Sequence, residues 1–260
     1  MKILFLGDMV GKRGREVVHD FLPTLKEKYK PDFTVVNGEN SAHGKGITIK
    51  IYNQLLADGV EAITMGNHTF SKKEILDHLE EMDNLVCPYN HILKEGEGYR
   101  IFNINNKRLC IINLLGTVMQ EEYTTSPYLA MDEILNKTKN KVDIYFVDFH
   151  GETTAEKRVF VEFYKEKISA VVCTHTHIQT ADEQIIDGCG FISDVGMCGP
   201  YYSIIGRDID ECIRRMVYGE QTRFTVSEAD PILNGVFIEI DDTSNRCSHI
   251  ERIQIRPNEK

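Results

Sequence analysis

Ile63-Thr64-Met65-Gly66-Asn67-His68-Thr69-Phe70 begins as an apolar, β-type run and stops at a glycine. It then presents an amide and an imidazole side by side. On α/β scaffolds the turn at the end of a strand is where ligands are held. An Asn-His pair alone carries little information. It gains weight because four other stretches end in the same manner: Gly7-Asp8 after the apolar residues 3–6, Gly38-Glu39-Asn40 after 33–36, His150-Gly151 after 142–149, and His175-Thr176-His177 after 170–173.

Between these strand ends the pattern alternates. Val17, Val18, Phe21, Leu22 and Leu25 recur at helical spacing, with Pro23 expected to kink that helix or restart it. Helices are predicted near residues 48–58, with Gly59 as C-terminal cap, and near 127–136, 155–167 and 209–218. Ser71 and Glu74 have capping-box spacing, which predicts a helix over 72–82. Residues 99–104 and 108–115 read as a hairpin turning at Asn105-Asn106. Further strands are expected at 85–88, 190–193, 223–226, 236–240 and 250–255. The order starts as strand–helix alternation and ends mostly in strands. An α/β fold follows, with mixed sheets covered by helices and residues 1–260 forming one domain.

Composition narrows the function. The net charge is −10 and there is no long basic run, which argues against a phosphate-tracking nucleic-acid surface. Seven cysteines without a Cys-x-x-Cys pair read as free thiols of a reducing compartment. No apolar stretch is long enough for a signal peptide or a membrane span, so a cytoplasmic location is expected.

The five strand ends offer carboxylate, amide and imidazole groups. That donor set suits iron, manganese, magnesium or zinc, and it lacks the thiolates of a structural zinc site. Seven or eight such side chains exceed the needs of one ion, and two ions sharing a carboxylate is the economical reading. Each residue also has a plainer role available. Asp8 can cap the following helix, Glu39 and Asn40 can be turn residues, and His150 can be a satisfied buried histidine. His175 and His177 are harder to dismiss, because i, i+2 spacing on an extended segment puts both rings on one side. The glycine-bearing stretch from Gly7 to Gly14 fits neither phosphate-loop nor dinucleotide spacing, since only three residues separate Gly7 from Gly11 and Arg13 follows Lys12.

Asp8, Gly38-Glu39-Asn40, Gly66-Asn67-His68, His150 and Thr174-His175-Thr176-His177, in this order, resemble the motifs of the calcineurin-like metallophosphoesterase superfamily. Val10 stands where that superfamily has the histidine of its first motif, Glu39 where it has an aspartate, and Thr174 where it has a glycine. Gly-Asp-Met-Val-Gly, Asn-Gly-Glu-Asn, Gly-Asn-His-Thr-Phe and Thr-His-Thr-His-Ile-Gln-Thr-Ala-Asp are similar to the YmdB-like bacterial 2′,3′-cyclic nucleotide phosphodiesterase branch. The resemblance implies a sandwich of two mixed β-sheets flanked by helices, in four layers α/β/β/α. It implies that Asp8, Glu39, Asn40 and His177 hold one metal and Glu39, Asn67, His150 and His175 the other, with Glu39 shared and Asn40 replacing the histidine absent at Val10. It also implies that a hydroxide bridging the two ions attacks phosphorus in line.

On that reading His68 protonates the leaving 2′ oxygen, and 3′-nucleotides are the products. His43, Lys45, Gly196 and Met197 are candidate contacts to base or phosphate. The expected cofactors are two divalent or trivalent ions, iron or manganese, with magnesium and zinc as alternatives. The expected substrate is a small cyclic nucleotide such as 2′,3′-cAMP, with short RNA ends and a homo-oligomeric assembly also open. Rival readings are a broader phosphomonoesterase, protein phosphatase or nuclease, and a metal-dependent regulatory scaffold. An intact His68 favours catalysis over binding alone.

Overall fold

Residues 3–6 alternate between two apolar environments, and that alternation organises the fold. In the computed structural model, which describes residues 1–257, the chain runs β1 (Lys2–Leu6), β2 (Asp8–Met9), α1 (Gly11–Tyr29), β3 (Phe33–Asn37), α2 (Ile49–Ala57), β4 (Ala62–Thr64) and β5 (Leu85–Val86). It continues as β6 (Tyr99–Ile104), β7 (Lys107–Leu115), α3 (Pro127–Thr138), β8 (Ile144–His150), α4 (Thr154–Tyr164) and β9 (Ala170–Thr174). It ends with β10 (Gln184–Ile186), β11 (Cys189–Ile192), β12 (Met197–Pro200), α5 (Ile209–Tyr218), β13 (Pro231–Ile240) and β14 (Cys247–Ile255).

Two mixed sheets form. The first is ordered β2-β12-β13-β1-β3-β4-β5 with β14 on β13, and the second β10-β11-β9-β8-β7-β6. Strands β1, β3, β4 and β5 are mutually parallel, as are β7, β8, β9 and β11. Ile3 and Phe5 point between the sheets, where Phe5 stacks on Phe146 at 5.9 Å between ring centroids. Leu4 and Leu6 point the other way, against Val18 and Leu22 of α1. In β8, Ile144 and Phe146 enter the inter-sheet core, while Val147 and Phe149 pack with Phe160 and Tyr164 of α4. Period-2 alternation with both faces apolar is the signature of a strand covered on both sides. The result is the expected four-layer sandwich, helices–sheet–sheet–helices. No helix among the described residues is long and apolar enough to cross a membrane.

Three local expectations are corrected. α1 runs unbroken through Pro23. Pro23 and His19, whose carbonyl loses its helix partner, are both exposed, so the break falls on the solvent face of the helix. Residues 72–82 form short 3-10 turns, not an α-helix. Ser71 closes a preceding turn by donating its N–H to the His68 carbonyl, and Lys72 is extended. The charges also oppose a helix: Lys72 and Lys73 stand at the would-be N-terminus and Glu80, Glu81 and Asp83 at the C-terminus, the reverse of what the dipole favours. Residues 223–226 make one isolated bridge, Val226 to Arg207, in place of a strand. The hairpin is as expected, with Asn105 and Asn106 both at positive φ, as a two-residue primed turn requires.

Candidate metal centre

The parallel strands of both sheets end on the same side, and the polar residues that stop them meet there. Asp8 comes from β2, Glu39 and Asn40 from the turn after β3, and Asn67 and His68 from the turn after β4. His150 closes β8, and His175 and His177 follow β9. Asp8, Glu39, Asn40 and His150 are buried. Nε2 of His150 lies 3.3 Å from Glu39 Oε1, 3.2 Å from Asn67 Oδ1 and 2.9 Å from His175 Nδ1. Asp8 Oδ1 lies 3.8 Å from His150 Nδ1 and 4.0 Å from His177 Nε2. Two groups have ligand atoms close enough to share an ion, Glu39–His150–His175 and Asp8–Glu39–His177, and Glu39 belongs to both. A side chain at Gly66 would collide with the Glu39 carboxylate and the His150 ring, so glycine is required before Asn67.

Each histidine commits one ring nitrogen to the protein. Thr174 Oγ1 donates to Asp148 Oδ1 at 2.7 Å and therefore accepts from His150 Nδ1 at 2.9 Å. His177 Nδ1 donates to the Ile205 carbonyl at 2.8 Å. His175 Nε2 lies 2.9 Å from Glu152 Oε2. In the neutral rings this leaves Nε2 of His150, Nε2 of His177 and Nδ1 of His175 as lone-pair atoms facing the centre, the arrangement that metal-binding imidazoles need. His175 and His177 occupy the left-handed region, φ 106° and 68°. Their turn is held by Asp194, which accepts from Thr176 N at 2.9 Å and from the buried Lys157 Nζ at 3.0 Å.

The electrostatics call for a cation. Oδ1 of Asp8 is buried and has no hydrogen-bond partner, and an orphaned buried carboxylate oxygen is costly. Burial pushes the Asp8 carboxyl up to about 7, against the pull of His177 and His150. Burial opposes ionisation of Glu39 as well, but His150 outweighs it and holds Glu39 below the usual carboxylate range. His150, against its own burial, is raised to about 9 by Glu39 and then Asp8. Burial and the neighbouring His150 drive His175 down to about 3. Carboxylates and imidazoles thus compete for protons in one buried cluster, and a cation would satisfy them together. The donor set fits divalent ions of the iron, manganese, magnesium or zinc type. Asn40 presents Nδ2 to Glu39 Oε1 at 2.9 Å and to His177 Nε2 at 3.1 Å, and a half-turn of the amide puts an oxygen there. Val10, in the position of the absent histidine, packs instead against Gly199 and Gly206.

A pocket of about 260 Å³ opens beside the centre, lined by Lys45, His68, Glu152, Arg207 and Phe224 among others. The half-buried His68 imidazole makes no hydrogen bond or ion pair among the described residues, and burial lowers its pKa. The structure does not bring His43, Gly196 or Met197 to this pocket. His43, at φ 57°, turns into a separate groove with Arg15, His19 and Lys50. Gly196 and Met197 lie buried behind the centre, where the Gly196 carbonyl accepts from Asp8 N and Met197 N donates to the His177 carbonyl. Sequence reasoning did not single out Asp148, Glu152, Arg207 or Phe224 for the site; it offered Asp194 only as part of the loop 194–200 for base or phosphate contact, and Thr174 only as a departure from the motif. Asp148 carried a signal: an acid inside an apolar strand needs partners, and it has Asn37 at 2.9 Å and Thr64 at 2.6 Å.

The model of the family described as YmdB-like protein matches residues 4–253. The chain is 46% identical over 257 residues to a Bacillus subtilis (strain 168) protein named 2′,3′-cyclic-nucleotide 2′-phosphodiesterase, covering 98% of this chain and 97% of that one. Among solved structures it superposes on a Mycoplasma pneumoniae protein described as a novel phosphatase with a TM-score of 0.93, 39% identity, and 98% and 93% of the two chains covered. A Thermus thermophilus protein described as hypothetical superposes with a TM-score of 0.91 and 29% identity, covering 98% of this chain and 99% of the other.

Proposed function

Because the chain belongs to the YmdB-like protein family, we propose that it is a metal-dependent phosphodiesterase that opens 2′,3′-cyclic nucleotides, such as 2′,3′-cAMP, to 3′-nucleotides. The observation that carries this reading is the orphaned Oδ1 of Asp8 inside a ring of three histidines whose outer nitrogens are already engaged. Asp8, Glu39, Asn40 and His177 would hold one ion, and Glu39, Asn67, His150 and His175 the other. When bound, such a pair supplies Lewis acidity that activates water and neutralises charge on the phosphate oxygens.

The chain's own residues do the rest. His68, unengaged and lining the pocket, holds a proton for the 2′ oxygen as the P–O bond breaks, a contribution of roughly 10²–10⁴-fold. Lys45, an exposed cation at the mouth, attracts the phosphate. The apolar side of the pocket, Val10, Ile205 and Phe224, limits water around the reacting group.

The test is hydrolysis of 2′,3′-cAMP beside a phosphomonoester and a linear dinucleotide. Protein is stripped and reloaded with Mn²⁺, Fe²⁺, Mg²⁺ or Zn²⁺, with Asp8→Ala as control. Metal-dependent turnover of the cyclic substrate alone is expected. Comparable turnover of the phosphomonoester would move the assignment to a broader phosphatase, the second reading favoured by the description of the Mycoplasma structure. No turnover with any metal would overturn the assignment and favour a regulatory scaffold.

A further inference from the structure

One wall of the pocket is explained neither by the metal ligands nor by His68. Phe224 lies between α5 and β13 with its ring 38% exposed at the cleft. The backbone around it is fixed. Asp208 N donates to the Thr225 carbonyl and Ser227 N to the Gly206 carbonyl, both at 3.0 Å. The ring edge abuts Gly44, which has φ +82° and where any side chain would strike the ring. Phe224 is therefore held at the mouth by its neighbours on both segments.

Two cations approach this ring. The Arg207 guanidinium carbon is 4.8 Å from the ring centroid and Lys45 Nζ is 5.8 Å from it. Their states differ. Arg207 is committed to Glu211, donating Nε to Oε2 at 3.1 Å and Nη2 to Oε1, and Thr222 Oγ1 also donates to that carboxylate at 2.7 Å. The Lys45 ammonium has neither hydrogen bond nor ion pair among the described residues, its backbone N–H donating to the Ala42 carbonyl at 3.3 Å. The wall is thus an aromatic ring with a guanidinium 4.8 Å from its centroid and that charge neutralised by Glu211, next to one uncommitted ammonium. A volume of about 260 Å³ lies just below the roughly 300–1,000 Å³ of small-molecule sites, which suits one nucleotide better than a strand.

We propose that Phe224, braced by Arg207, is the platform on which the nucleobase of a mononucleotide substrate stacks. The inference rests on the phosphodiesterase reading of the same site. Every base has a π-face, so a stacking platform accepts all four. Discrimination among bases requires polar groups placed at base edges, whereas Gly44 abuts the ring edge and the nearer of the two cations over the ring, Arg207, is already committed to Glu211. Recognition is therefore tolerant of base identity.

The experiment measures binding of the four 3′-nucleotides and of ribose 3-phosphate to Mn²⁺-loaded protein by calorimetry, for wild type, Phe224→Ala, Phe224→Leu and Phe224→Tyr. kcat/KM on the four 2′,3′-cyclic nucleotides is measured in parallel. Alanine and leucine are expected to weaken all four nucleotides about 10–100-fold and leave ribose phosphate affinity unchanged, while tyrosine retains nucleotide binding. Leucine keeps the bulk and removes the π-face, so a role confined to packing would spare it. The inference is overturned by wild-type affinity in the alanine variant, by equal loss of ribose phosphate, by wild-type discrimination among bases beyond about tenfold, or by failure of the wild type to bind any nucleotide. Phe224-dependent binding without turnover of any cyclic nucleotide would sink the phosphodiesterase reading and leave the platform standing.

Discussion

Glu152 stands 2.9 Å from Nε2 of His175, on the ring nitrogen opposite the one that faces His150. Its carboxylate fixes the tautomer in which Nδ1 of His175 can bind a metal. Loss of such a partner typically weakens metal binding 10–100-fold. Glu152→Ala is expected to lower affinity for one of two ions by about that factor, read by metal titration, with Glu152→Gln restoring most of it. Equal affinity in the alanine variant would remove Glu152 from the centre. His68→Ala separates chemistry from binding. It should lower kcat by about 10²–10⁴-fold with metal content unchanged, and near-normal kcat would end the proton-donor role. The lone Asn-His pair was legible in the sequence because both residues follow a glycine at a strand end. Glu152 was not, because its role depends on where α4 begins relative to a ring 23 positions further along the chain.

At the scale of elements, strand ends were legible and helix ends less so. A buried strand must stop where polar residues begin, so β1, β3, β4, β8 and β9 announced both themselves and the residues they deliver. Ser71–Glu74 has the spacing of a cap, but spacing does not outweigh charges that oppose the helix dipole across 72–83. Phe224 was hidden for a related reason: a short exposed run of β-type residues resembles a strand until a partner is lacking. The starts of β7 and β8 are joined by Arg108, whose Nε and Nη2 reach Asp143 at 2.9 and 2.8 Å while its backbone N donates at 2.8 Å. These bonds, the side chain's first, lower Asp143 to about 2. A depressed carboxylate stabilises the fold above its unfolded pKa, near 3.9, and loses that contribution as pH falls through the folded value. The pair is half-exposed and screened by solvent. Asp143→Asn is therefore expected to lower Tm by only about 2 °C at pH 7. In thermal melts that difference should shrink between pH 4 and pH 2, and a difference constant with pH would refute the assignment.

Over the whole molecule, the proposed metal centre is expected to oppose the stability of the fold until a cation binds. Asp8 Oδ1 is buried without a hydrogen-bond partner. Metal at about a thousandfold above Kd adds about 4 kcal/mol, so chelation is expected to lower Tm by about 10 °C. Asp8→Asn should reverse the order. The metal-free variant should melt about 2–5 °C above the metal-free parent, and added metal should raise it less than it raises the parent. Parent and variant melting together without metal would show that the orphaned oxygen carries no strain.

The residues around the centre come from Asp8 to His177, and from the ends of strands in two different sheets. Among the proposed ligands only Glu39–Asn40 and His175–His177 are close along the chain, so a nascent or unfolded polypeptide offers any ion at most a two-toothed grip. The full set exists only after the sheets have docked. On the proposed reading, the choice of ion is made at a finished cavity of fixed size and donor type, not by whichever ion clings most tightly to the growing chain. The folded apoprotein is, on that reading, the species that takes up the ion.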